Sequence, residues 1–174
     1  MASNFVNSSV LGVSLQGNSD GATALFGLGQ HVLGNAASEW IYVSAIGAIT
    51  TGQCVVINAT YSAQPATATL AYGSAAGSPG MQLAFAQGAF AASDFGWVAL
   101  RGDAMAVSLS CCSTLGAALY IGLSGNICSA SGVAGSGTLA GIILTSFSAT
   151  AILNAASTAY LTYPRMNAGA ALGQ

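Results

Sequence analysis

The sequence predicts an all-β fold, a single-domain β-sandwich or β-barrel of short antiparallel strands with an extended N-terminal arm. Three observations predict it. Aromatic and β-branched runs recur at intervals of roughly 8 to 15 residues, the spacing of sandwiches and barrels. Glycine, with 23 copies in 174 residues, sits at the joints between those runs. No segment carries the sustained 3.6-residue apolar period of a long amphipathic helix.

A chain of this length buries one sizeable core, and no composition break marks a second domain. Residues 1–35 form the expected arm. They are rich in Asn, Ser and Gly (NSS, QGNSDG, FGLGQ) and could lie along a neighbour, adding a strand to its sheet edge. Residues 36–165 form the β domain and 166–174 a loose C-terminal tail.

Within the domain the elements follow in order. EWIYVSAI from Glu39 reads as a strand, GAITTG punctuates it, and QCVVINATY follows as another. PATATLAYGSAAGS closes in Ser78-Pro79-Gly80 and predicts a strand with an exposed turn. QLAFAQGAF and DFGWVALRG predict a hairpin joined through Ala91-Ala92-Ser93. In AMAVSLS, Met105, Val107 and Leu109 alternate with small residues, the period-2 mark of a half-buried strand, and ALYIGL repeats it. Alanine leaves room for one short helix within 105–123. GNICSASGVAGSGTLAG suits turns, GIILTSF is a strand, TAILN is a weaker one, and YLTYPR ends the domain. Six to nine short strands are expected. The abundance of alanine, a poor strand former, conflicts with this inferred fold.

Composition bounds function. Only 3% of residues are charged, against about 25% in an average soluble domain, and there is no lysine. Such a chain has little self-repulsion and is expected to associate. Two distant arginines, Arg101 and Arg165, cannot neutralise a phosphate backbone, so nucleic acid is not an expected partner. A membrane is not expected either. The most apolar window, Met105 to Leu123, is interrupted every few residues by Ser, Thr, Gly or Cys. MASNFVNSSV lacks the basic region and apolar core of a secretory signal.

Chemistry finds little to work with. His31 is the single histidine, so nucleophile–base pairs lack any local signature. Cys54, Cys111, Cys112 and Cys128 form no Cys-x-x-Cys pair, which disfavours a zinc site and makes buried free thiols the default expectation. The glycine patterns lack the strand-to-helix context of nucleotide loops. Arg101-Gly102-Asp103 spells an adhesion tripeptide, expected on a turn just beyond a strand. An enzyme is therefore not expected, nor are catalytic, cofactor-binding or metal-ligating residues, and no cofactor is implied. Trp40, Tyr42, Phe95, Trp97 and Arg101 are the candidate interface anchors, because aromatic side chains and arginine dominate binding hot spots.

Two stretches look familiar. Ser38-Glu39-Trp40-Ile41-Tyr42-Val43, continued by Gly47-Ala48-Ile49 and Gly52-Gln53-Cys54-Val55-Val56-Ile57, resembles small head proteins of tailed bacteriophages. So does Phe85-Ala86-Gln87 leading through Phe90 into Asp94-Phe95-Gly96-Trp97-Val98-Ala99-Leu100-Arg101-Gly102. The resemblance spans about residues 27 to 165. It implies a capsid decoration (cement) protein: a homotrimer on the outer surface of the virion head, assembled in the host cytoplasm, that clamps neighbouring major capsid proteins. Another virion part, such as a head-fibre base or tail protein, and an RGD- or glycan-type adhesion module are the alternatives.

Overall fold

A computed structural model describes residues 15, 20–67, 82–110, 117–129, 138–146 and 155–166. Among them, ten strands form one continuous sheet, confirming the all-β class and selecting the barrel over the sandwich. The strands are β1 (His31–Leu33), β2 (Glu39–Ala45), β3 (Cys54–Ile57), β4 (Ser62–Pro65) and β5 (Gln82–Ala86). They continue with β6 (Phe95–Leu109), β7 (Tyr120–Ile121), β8 (Ile127–Cys128), β9 (Leu139–Ser146) and β10 (Ala155–Met166). A 3-10 turn, Leu123–Gly125, precedes β8.

Five strands close on themselves in the order β2-β4-β3-β5-β6, with β6 returning to β2. Four of these pairings are antiparallel, and the β2–β4 pairing is parallel. A ring of five strands is narrow, because barrel diameter grows with strand number. Its interior takes Ile41 and Val43 but also Ala45, Ala63, Ala84 and Ala86. This resolves the alanine conflict: small side chains are what a thin barrel can hold, and burial outweighs their weak strand propensity. Ile49 and Phe90 bridge each other across the loops after β2 and β5 and join that inner core.

The outside of the barrel is also covered. Trp40, Tyr42, Cys54, Val56, Phe85 and Trp97 point away from the interior into a second buried cluster. The cover comes from the far half of β6 with Met105, Val107 and Leu109, and from β7 to β10 with Ile121, Ile127, Leu139, Leu144, Ala159 and Leu161. Strands buried on both faces read as continuous apolar runs, which is why EWIYVSA and CVVI do not alternate.

Two sequence expectations are corrected here. DFGWVALRG and AMAVSLS are not separate strands but one 15-residue β6. Its register slips by one residue against β2 near Arg101 and again against β10 between Gly102 and Met105, so two bulges bend it from the barrel into the cover. Glycine and polar residues at the bend mimic a turn in sequence. The strands are also not uniformly short, since β10 runs for 12 residues.

The described part of the segment expected as an arm lies against the chain's own barrel. Leu15 is buried, β1 pairs with β2, and the Asp20 amide donates to the Phe95 carbonyl at 2.7 Å. Phe26 packs edge-on against Tyr42 at 5.3 Å and against Trp97 at 5.3 Å. The Tyr42 hydroxyl donates to Asp20 Oδ2 at 2.7 Å and accepts from the Leu25 amide at 3.1 Å. Most of the strand expected from Pro65 to Ser78, its turn at Ser78-Pro79-Gly80, the TAILN strand and the tail beyond Met166 lie outside the described residues.

Burial pushes the Tyr42 hydroxyl up to about 12, the Leu25 amide opposes it, and the Asp20 carboxylate adds to the rise. The folded chain therefore keeps this proton to higher pH than the unfolded chain, whose tyrosine ionises near 10. Stability is expected to be intact below that pH and to fall as pH rises towards about 12. Urea titrations across alkaline pH check this, and Tyr42→Phe should flatten the decline.

Candidate functional site: a polar row across four strands

The arrangement with the most chemistry crosses the sheet where β1, β2, β6 and β10 lie side by side. Leu33 stands opposite Glu39, Glu39 opposite Arg101, and Arg101 opposite Thr162. Directly opposed residues in antiparallel pairs share a face, so the registers alone place them in one row. The chain's single histidine and single glutamate meet there, with one of its two arginines alongside.

His31 Nδ1 lies 2.9 Å from Glu39 Oε1. The Tyr163 hydroxyl donates to Glu39 Oε2, so both carboxylate oxygens are engaged. The Arg101 guanidinium interacts with the Tyr163 and Tyr160 hydroxyls, which hold its proton more firmly. Tyr163 reaches this face through an irregularity. The β9–β10 register shifts between Leu161 and Arg165, and Tyr163 has φ 51°, left-handed backbone that a tyrosine rarely adopts. Opposite, Gly141 has φ 79°, and a Cβ there would lie 2.6 Å from the Thr162 carbonyl oxygen. Such backbone costs about 1–3 kcal/mol and persists only where the surroundings fix it.

Partial burial raises the Glu39 pKa, but the bonds from Tyr163 and His31 and the charges of His31 and Arg101 outweigh it and hold the carboxyl below 4.5. The folded state therefore binds this proton less readily than the unfolded chain. The stabilisation is present above 4.5 and is lost as pH falls through the folded value. Because the site is partly exposed, about 0.5–1 kcal/mol is expected. Glu39→Gln should remove that much of the acid-side slope in denaturation measured across acid pH.

The five candidate anchors divide. Trp40 and Tyr42 have no exposed surface, Trp97 is 5% exposed, and Phe95 is half-buried and stacks on Tyr42 at 6.5 Å. Trp40, Tyr42 and Trp97 therefore pack inside the subunit and do not offer an aromatic surface to a partner, whereas Phe95 is only partly covered. Arg101, like Phe95, is partly exposed, and it lies in the polar row. The adhesion tripeptide is corrected as well: it lies within β6, with Gly102 buried against Met105 and Ser38, rather than on a projecting turn.

Elsewhere, an open cavity of about 690 Å³ is lined by Thr50, Thr51, Gln53, Ala89, Ser108, Ser124 and Asn126. Gln53 spans its wall, accepting from the Thr50 amide at 2.7 Å and donating to the Ser124 carbonyl at 2.8 Å. Among the described residues, no three His, Cys, Asp or Glu side chains are grouped to hold a metal ion. Among them, too, no helix is long and apolar enough to cross a membrane.

The described cysteines divide over the expectation of buried free thiols, which Cys54 meets and Cys128 does not. Cys128 is disulfide-bonded, whereas Cys54 is a free, wholly buried thiol whose pKa burial pushes far up. The thiolate is the reactive form, so Cys54 should resist a thiol reagent in the native protein and react fully in denaturant. Native labelling at more than a hundredth of the denatured rate would contradict the packing.

The polar row was missed in the sequence, although each member except His31 and Leu33, which fall in the expected arm, lies within or beside a strand that the pattern predicted. Scarcity was the available signal, since ionisable residues this rare are worth following to their partners. No protein-family model, curated protein or solved structure matches this chain.

Proposed function

We propose that this chain is a non-enzymatic capsid decoration subunit, a homotrimer that binds the outer surface of a tailed-phage head and stabilises contacts between major capsid proteins. The observation that carries this proposal is the surface, considered with the phage-like stretches at residues 38–57 and 85–102. In a chain with 3% charged residues, Leu25, Leu33 and Ile143 are 60–63% exposed and Ile46 is 54% exposed. Covering such a surface removes apolar area from water with little desolvation of charge, and threefold repetition multiplies weak contacts.

The sheet edge supports the same conclusion. Among the described residues β9 ends the strand order, bridged only at Leu139 by Leu119, and its sequence LAGIILTS carries no charge or proline of the kind that usually blunts an exposed edge. A partner surface that covers this edge gives that composition a reason.

Light scattering on the purified protein, followed by co-sedimentation with phage heads that lack it, tests the proposal. A trimer that binds heads and raises their melting temperature is expected. A monomer indifferent to heads would overturn it.

A further inference from the structure

The polar row has an asymmetry that bears on how such a subunit would meet its partner. Both oxygens of Glu39 are engaged within the subunit, by His31 and Tyr163. Arg101 is differently placed. Glu39 stands opposite it across the β2–β6 pair and feels its charge, but among the described residues no carboxylate lies within ion-pair distance of it, and the side chains it interacts with directly are the Tyr163 and Tyr160 hydroxyls. A guanidinium has five N–H donors in a planar fork, more than two hydroxyl oxygens occupy.

The surroundings fit a contact. Leu33 at one end of the row is 60% exposed, Tyr163 at the other is 45% exposed, and Thr162 beside Arg101 is exposed. Arginine and tyrosine framed by an apolar side chain is the composition of a binding hot spot. The bulges in β6 and β10 on either side of Arg101 re-aim side chains onto this face.

We infer that the face formed by Leu33, Arg101, Thr162 and Tyr163 is an interaction surface, and that its occupant is a protein that places a carboxylate in the Arg101 fork. Resting on the decoration proposal, that occupant is an acidic side chain on the capsid surface. Glu39 acts as a positioning residue: by holding the Tyr163 hydroxyl it keeps one flank of the fork in place. Bidentate arginine–carboxylate pairing supplies direction as well as charge, and lysine cannot reproduce it.

The test is quantitative co-sedimentation of the full chain with heads that lack it, comparing wild type, Arg101→Gln, Arg101→Lys and Arg165→Gln. Melting temperature and light scattering are recorded for each. Arg101→Gln is expected to bind at least tenfold more weakly with its oligomeric state unchanged. Arg101→Lys should recover only part of the loss, and Arg165→Gln, which removes an equal charge outside the row, should stay within twofold. If Arg101→Gln lowers the melting temperature, Arg101→Lys decides, since it keeps the stem and the charge. Wild-type affinity in both Arg101 variants would overturn the inference while leaving the decoration proposal standing. A changed oligomeric state with unchanged head affinity would also overturn it, making the row a contact between copies. Wild-type protein that fails to bind heads would overturn the decoration proposal and this inference with it.

Discussion

Trp40→Ala is expected to destabilise the folded chain by about 3–5 kcal/mol. Trp40 is wholly buried in the cluster between the barrel wall and its cover, where its indole Nε1 donates to Ser38 Oγ at 3.1 Å. Ser38 Oγ in turn donates to the Asn35 carbonyl at 2.8 Å, tying the β1–β2 connection to the same site. Truncation leaves a large void walled by neighbouring strands, which cannot collapse without breaking sheet hydrogen bonds. The melting temperature should fall by about 10 °C or more for a chain of this size. The result also separates two roles for this tryptophan. An interface anchor would leave the subunit's melting unchanged and lose only assembly, whereas a core residue loses stability first. Scanning calorimetry on the isolated subunit distinguishes them.

Gly125→Ala has the second largest expected effect, about 2–4 kcal/mol, combining left-handed backbone with a steric clash. Gly125 has φ 76°, and a Cβ there would lie 2.5 Å from the Cys54 carbonyl oxygen. That oxygen cannot easily move, because it accepts from the Ala66 amide at 2.9 Å while the Gly125 amide donates to the Ala66 carbonyl at 2.7 Å. The 3-10 turn at Leu123–Gly125 is thus clamped onto the chain beside β3 and β4, and glycine is the residue that lets the two backbones approach. Urea denaturation should show a lower midpoint with an unchanged slope. A loss under about 0.5 kcal/mol, the scale of an ordinary surface substitution, would mean that the turn is not held there.

Both effects depend on the layering of strands, and that layering was only partly legible in the sequence. The runs EWIYVSAI, QCVVINATY, QLAFA and GIILTSF announced strands because aromatic and β-branched residues between glycine joints favour a pleated backbone. They could not announce which faces were covered. Trp40 and Trp97 read equally well as core or as surface anchors, and only the far half of β6 with β7 to β10 folding over the barrel decides for the core.

The sequence by itself determined the class: short β-type runs separated by glycine, with no sustained helical period, point to an all-β fold. Tertiary structure alone decided the rest, because bulges and registers arise from pairings between distant segments. The bend in β6 joined two predicted strands into one, and the narrow closed ring gave its alanines a purpose. Glu39 and Tyr163, 124 residues apart, meet because β2, β6 and β10 align side by side and a left-handed residue turns one side chain across. Local propensity acts over a few residues, whereas register is set by the summed burial of whole strands, so the polar row around Arg101 could be located only once the strands were paired.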